Sequence, residues 1–323
     1  MPSVPVFSAG HVYGALDPGD AVEIVRTAFV EHTRGNWQMP SKLYVSSPPD
    51  GDFRATPASG AGYAALKWVS SFPNNPARAL PTVTGVVLLS DAATGELLAI
   101  LDAGAVTALR TGAAAVLAAE VLARPTLGPA AVIGCGVNGR AVAATFLARE
   151  REVLLWDARP NQAQLVAGEL GEGTEVAADL ADALAADIVA TVTPGREVIF
   201  HDGTLHAGQH VSLMGADGPG KAEIAVEELL RARVFCDEWE QSSHNGDIAA
   251  AVADGRLTRD RVAELGPILV GEESGRADEH EITVFDSTGL AVQDLAVTIA
   301  VYGSFRANPG AEPFVGMNEV DLG

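Results

Sequence analysis

Gly134-Cys135-Gly136-Val137-Asn138-Gly139 spells G-x-G-x-x-G between an apolar strand-like run, Ala130 to Ile133, and a helix-forming stretch, Gly139 to Arg149. In that setting each glycine has a task. The first allows a tight turn, the second lets the backbone approach a pyrophosphate, and the third lets helix and strand pack closely. The helix N-terminus adds free N–H groups and partial positive charge, which suit phosphate. A second strand, Glu152 to Trp156, runs into Asp157, roughly twenty residues past the first glycine. A carboxylate there accepts hydrogen bonds from both ribose hydroxyls of an adenosine and repels a 2′-phosphate. The segment therefore predicts a dinucleotide site that takes NAD rather than NADP, with Arg159 as the opposing charge.

The chain has only three lysines, Lys42, Lys67 and Lys221. On a strand, Ala65, Lys67 and Val69 share one face. A lysine among small apolar residues on an inward face needs an anionic partner; on an edge strand it points to water, and both readings stand. Arg110 lies mid-way along an apolar helical stretch, where Val106, Thr107, Ala113 and Ala114 leave room and offer no carboxylate. Its fork suits bidentate binding of a substrate carboxylate, or else a salt bridge to an acid elsewhere in the fold. Asp217 follows the strand His210 to Met214 in a glycine-rich loop that runs to Lys221. Loops at the carboxyl ends of such strands face the ligand crevice, and an acid there can move protons. An ordinary turn aspartate before glycine is the alternative. Lys221 reads as the start of the next helix. His206 and His210 have i, i+4 spacing, but Gly208 between them argues for a loop, and with His201 they show no acidic ligand pattern, so no metal site is expected.

The elements that must position these groups change character along the chain. Asp17-Pro18 is a helix start, Val22, Val25 and Phe29 recur at helical spacing, and Gly35 ends the run. Short β-type runs follow at Tyr63 to Ser70, Thr82 to Leu89 and Glu96 to Leu101, then an Ala/Leu-rich helix from Gly104 to Ala123 stopped by Pro125. From Ala130 strands and helices alternate, with further strands at Asp187 to Thr193, His210 to Met214, Arg233 to Cys236 and Glu281 to Phe285. That alternation predicts α/β architecture: a Rossmann-type doubly wound parallel sheet. A last helix, about Leu290 to Phe305, returns to the first domain. The expected division is 1–124 plus 290–323, an α+β substrate-binding and dimerisation domain, and 125–289, the inserted dinucleotide domain.

The 323 residues suit two domains, and 48% apolar content supplies their cores. A net charge of −21 repels phosphate backbones, so no nucleic-acid partner is expected. Cys135 and Cys236 lack disulfide or metal spacing. No run of about 18 uninterrupted apolar residues and no leader segment is present, so a cytoplasmic protein off the membrane is expected.

Five segments in order resemble the ornithine cyclodeaminase/μ-crystallin family over nearly the whole chain. They are Lys67-Trp68-Val69 with Phe72-Pro73-Asn74-Asn75 and Leu80-Pro81-Thr82; Ala108-Leu109-Arg110-Thr111-Gly112-Ala113; Ile133 to Gly136; Gly215-Ala216-Asp217 through Lys221; and Thr283 to Ala291. The resemblance implies NAD as cofactor, held by Thr82, Thr111, Gly134, Gly136, Val137, Asn138, Gly139, Asp157, Arg159, Thr193 and Ser287. It implies a small amino- or imino-acid substrate, with Lys67 catalytic and binding, Arg110 on the α-carboxylate and Asp217 as acid/base. Lys42, where relatives usually carry Arg, adds a second basic contact. It also implies a homodimer paired through β-structure of the first domain. The family spans amino-acid dehydrogenases and imine reductases, cyclodeaminases that recycle NAD and release ammonia, and μ-crystallin-type nucleotide binders with little turnover. Gly289-Leu290-Ala291-Val292-Gln293-Asp294 lacks the aromatic and Glu-Asp of cyclodeaminases, and Arg54 stands where those carry a substrate-binding Glu. The tail, together with Asp237 to Gln241 through His244 to Asp247 and with Ala263 to Gly266, resembles the dehydrogenase branch, and Arg54 suits a substrate with a second carboxylate.

Overall fold

The computed structural model describes residues 3–126, 128–218 and 220–321. They form two compact units, Met1–Arg110 with Leu290–Gly323, and Thr111–Gly289.

Unit 1 opens with β1 (Val4–Phe7) and α1 (Ala9–Ala15). In α2 (Pro18–Thr33) the Asp17 side chain accepts from Gly19 N–H at 2.7 Å with Pro18 at the first helical position, and Val22, Val25 and Phe29 are buried. Five strands follow: β2 (Leu43–Ser47), β3 (Gly51–Gly60), β4 (Tyr63–Ser71), β5 (Val83–Asp91) and β6 (Leu97–Asp102). The last three are the runs that the sequence marks as β. Then comes α3 (Ala103–Leu122), in which the division between units falls, earlier than the Pro125 boundary expected from sequence. The cause is packing. Beyond Arg110 the helix serves unit 2: a Cβ on Gly112 would overlap the Thr145 hydroxyl, and Ser212 Oγ donates to Ala115 O at 3.4 Å. α3 is the one helix among the described residues long and apolar enough to cross a membrane, yet 78% of that window is buried inside the protein. That is the profile of a core helix.

Unit 2 continues with β7 (Ala130–Ile133), α4 (Val137–Ala148), β8 (Val153–Trp156), α5 (Pro160–Leu170), β9 (Thr174–Val176), α6 (Leu180–Leu184) and β10 (Ile188–Thr191). After these come β11 (His210–Leu213), α7 (Val226–Arg231), β12 (Arg233–Cys236), α8 (Trp239–Asn245), α9 (Ala249–Ala253), β13 (Val262–Glu264), α10 (Leu265–Leu269) and β14 (Thr283–Asp286). All eight strands pair in parallel, in the order β13-β12-β14-β11-β10-β7-β8-β9. Because both faces are covered, β7, β10, β11 and β14 are buried at every residue. The chain order reverses between β7 and β10, the switch point where doubly wound sheets bind ligands.

The chain then returns to unit 1 as α11 (Ala291–Ala307) and β15 (Asn318–Val320). The unit 1 sheet has the order β15-β1-β6-β5-β4-β3-β2. α11 packs against α2 and against β3, β4 and β5. The face it covers carries Thr56, Ala58, Ala65, Val87, Leu89, Ala99 and Leu101, all buried.

Candidate active site

In unit 2 the glycine loop has the shape its sequence requires. Gly134 sits at φ +97°, and a Cβ there would press on the Val192 carbonyl. A Cβ on Gly139 would overlap the Gly134 carbonyl, so the third glycine is needed for helix–strand contact. Nothing lies within 4 Å of a Cβ placed on Gly136, which leaves the approach to the loop open. Gly136 is also the N-cap of α4 and provides no side-chain cap, so no cap side chain answers the first backbone N–H groups of the helix. Open backbone and uncapped donors fit a pyrophosphate. Asp157, at the end of β8, is buried. It accepts from Cys135 N–H through Oδ2 at 2.8 Å and from Arg159 N–H through Oδ1 at 2.8 Å. The Arg159 side chain is 74% exposed and reaches back to Asp157 at 3.3 Å. Burial, and then the Asp157 charge, push the Cys135 thiol up to about 12, which leaves it unreactive.

The other unit 2 candidates lie at neighbouring strand ends. Thr111, on α3, buries a hydroxyl that has no hydrogen-bond partner among the described residues. Thr193 follows β10 and donates from N–H and Oγ1 to Glu223. Asp217 follows β11, and its carboxylate pairs with Lys221 at 2.5 Å, both half-exposed. Lys221 is not the start of a helix as expected; it lies in the loop, and α7 begins only at Val226. Ser287 follows β14, but its hydroxyl donates to Asp237 Oδ2 at 3.0 Å and the residue is buried. Its side chain is therefore committed to holding the strand end. Thr82 lies in unit 1, exposed, just ahead of β5.

His210 is a core residue. It is bonded to Thr283 Oγ1 and Ser212 Oγ, and burial, with Arg276 nearby, pushes its pKa down to about 3. No group of three His, Cys, Asp or Glu able to hold a metal comes together among the described residues.

In unit 1, Lys67 and Arg110 meet the same acid. Lys67 on β4 points inward, 8% exposed. Its Nζ lies 2.7 Å from Asp294 Oδ2 and 3.3 Å from Thr107 Oγ1. Arg110 Nε lies 3.4 Å from the other Asp294 oxygen, close enough to pair charges but not aligned as a hydrogen bond. Two cations thus share one carboxylate that is 4% exposed. Asp294 was read in the sequence only as a mark of the family branch. A lone acid within the apolar run Ala291 to Ala300 was the signal for it.

Register places the remaining unit 1 candidates. Thr56 pairs with Lys67, and Arg54 with both Val69 and Tyr44, so Arg54 shares the Lys67 face. Its fork, however, is taken by Asp52 at 2.6 and 3.3 Å, with Tyr44 stacked at 5.5 Å. Lys42 immediately precedes β2 and is half-buried.

A buried acid group also lies in unit 2. Burial, and then Asp237, raise Asp286 to about 8; burial, and then Asp286 and Glu223, raise Asp247 well above the carboxylate range. An acid that keeps its proton to higher pH in the folded state stabilises below its unfolded pKa, and that stability is lost as pH rises through the folded value. Stability, followed as the thermal midpoint, is therefore expected to fall from about pH 5 to pH 8. Asp286→Asn should flatten the slope. A midpoint that climbs across this window would contradict the assignment.

Known proteins resemble this chain along almost its whole length. The model of the ornithine cyclodeaminase/mu-crystallin family matches residues 7–308. An alanine dehydrogenase of Archaeoglobus fulgidus is 38% identical over 303 residues, covering 92% of this chain and 94% of its own. The solved structure of an archaeal alanine dehydrogenase dimer with bound NAD superposes with a TM-score of 0.91 at 35% identity, covering 100% of both chains. Thermococcus litoralis Δ1-pyrroline-2-carboxylate reductase, in complex with NADH and L-proline, gives 0.89 at 26% identity, covering 99% of this chain and 100% of its own. Matched along almost its full length in both sequence and fold, the chain belongs to the ornithine cyclodeaminase/mu-crystallin family.

Proposed function

We propose that the chain is an NAD(H)-dependent oxidoreductase of a small α-amino or imino acid, an amino-acid dehydrogenase or imine reductase. The α4 N-terminus and Asp157 would hold NAD, which would supply hydride transfer to or from the substrate α-carbon.

The observation that carries the reading is the buried trio of unit 1, in which Lys67 and Arg110 share Asp294. A substrate carboxylate supplies the second negative charge. Arg110 binds it through its fork, Lys67 hydrogen-bonds a carboxylate or carbonyl oxygen, and Lys42 adds a further positive contact. Asp217 takes a proton from the substrate nitrogen or from water and gives it back as ammonia leaves or adds. Arg54 serves a second carboxylate only by releasing Asp52, so a one-carboxylate substrate suits the site better than the sequence alone suggested.

The enzyme acts as a homodimer in the cytoplasm. In support, Trp68 and Val86 are exposed on the sheet face that α11 leaves uncovered, and β2 is an exposed edge. Of the apolar residues of that region, Val87 and Leu89 point the other way and are buried.

A panel of L-alanine, L-proline, L-aspartate, L-ornithine and L-lysine, scored for both NADH and ammonia, tests the reading. Net NADH with one or more of the first three is the expected result. Ammonia without NADH from ornithine or lysine makes the chain a cyclodeaminase, and tight NAD binding with neither product makes it a nucleotide binder. Fluorescence titration is further expected to show NAD binding at least about tenfold tighter than NADP, since a 2′-phosphate beside a carboxylate costs about 1–4 kcal/mol. Equal affinities would mean that exposed Arg159 offsets Asp157.

A further inference from the structure

Glu223 has no part in the chemistry above, and its surroundings are unusual. It is fully buried, yet its carboxylate accepts four hydrogen bonds. Oε1 takes Thr193 N–H at 3.1 Å and Thr193 Oγ1 at 2.6 Å. Oε2 takes Thr191 Oγ1 at 2.7 Å and Gly215 N–H at 3.0 Å. The first pair of donors begins the loop after β10, and Gly215 begins the loop after β11, two residues ahead of Asp217.

The same short segment reinforces the joint. Ala222 N–H donates to Gly195 O at 2.9 Å, Phe200 N–H donates to Glu223 O at 3.0 Å, and Lys221 pairs with Asp217. Glu223 N–H is itself held by Asp247 Oδ1 at 2.5 Å. A Cβ on Gly215 would fall 2.6 Å from Glu223 Oε2, so the glycine is what lets the carboxylate reach the loop. A buried carboxylate is costly unless its lone pairs are filled, and an apolar side chain could occupy the same volume. What an apolar residue cannot do is tie two loops together through their backbone N–H groups.

We propose that Glu223 is a positioning residue, which bolts the Thr193 loop to the Gly215–Asp217 loop and thereby fixes the Asp217 carboxylate relative to the cofactor-binding end of the sheet. The proposal rests on the reading of Asp217 as the acid/base group.

Glu223→Gln keeps the shape but turns one acceptor oxygen into an N–H donor. A threonine hydroxyl can rotate to answer it; the N–H of Thr193 or Gly215 cannot. Hydrogen exchange on the protein without ligand is expected to quicken at residues 193–195 and 215–217. Oxidation of the best panel amino acid by NAD is expected to show kcat lowered about 10- to 100-fold, with KM nearly unchanged. Combined with Asp217→Asn, the loss should not multiply, because a misplaced group and an absent one fail at the same step. Unchanged exchange in both loops, or losses that multiply in the double variant, would overturn the proposal. If Asp217→Asn is slow while Glu223→Gln keeps normal kcat, only the positioning role falls; if Asp217→Asn keeps normal kcat, the acid/base reading falls and takes this one with it. Should Glu223→Gln not fold, Thr191→Val removes one donor at constant shape and should lower kcat several-fold, again without multiplying the Asp217→Asn loss.

Discussion

Asp217→Asn is expected to lower kcat by about 10²–10⁴-fold, the contribution of a positioned general acid/base, while NAD binds with unchanged affinity. The substitution keeps the size of the side chain and removes only the titratable group. Asp217 stands at the carboxyl end of β11, in the loop region where a doubly wound sheet presents residues to ligand. It is half-exposed and its partner Lys221 is on the same loop, so the change should not disturb the core. Stopped-flow or steady-state kinetics beside a fluorescence titration separate the two effects. Near-normal kcat would return Asp217 to the role of a turn residue before glycine.

Lys67→Ala is expected to lower kcat/KM by on the order of 10²–10³-fold, with both kcat and KM affected. One member of a buried, hydrogen-bonded charge set is removed, a loss of about 2–5 kcal/mol where such sets bind a partner. It also leaves Asp294 to Arg110 alone, drawing the guanidinium toward a protein carboxylate and away from the substrate's. Arg110→Lys keeps the charge and loses the planar fork, so it should chiefly raise KM. If Lys67→Ala left kcat untouched and raised only KM, Lys67 would bind substrate without assisting the chemistry.

The sequence is most legible where one residue type has one physical use. The glycine loop, the Asp17-Pro18 cap and the fully apolar parallel strands each announce their geometry, and they appear where expected. β3 was not legible. Gly51, Pro57 and Gly60 argue against a strand, yet β3 is paired with β4 from Asp52 to Gly60. Pro57 is tolerated because β2 ends opposite Ala55 and the next outer contact is Gln38 with Ser59. The ring nitrogen falls in that gap, where no ladder needs an N–H. β15 and β1 pair across almost the whole chain, which local pattern does not reveal.

The site divides the same way. Lys67 and Arg110 stood out as charges in apolar stretches, but the sequence could not say whether one acid answered both. Asp294 does, from a helix nearly two hundred residues away. Arg54 was read for its charge alone; Asp52, two residues before it, takes its fork. Glu223 was missed because an acid between Ala222 and Ile224 looks like a loop residue until the strand ends beside it are in place.

The most direct test of the central claim is the fate of the substrate α-hydrogen. With NAD and the best panel amino acid deuterated at carbon 2, the account predicts that deuterium accumulates in NADH, one NADH for each molecule of substrate oxidised. Turnover that releases ammonia while no labelled NADH accumulates would contradict it.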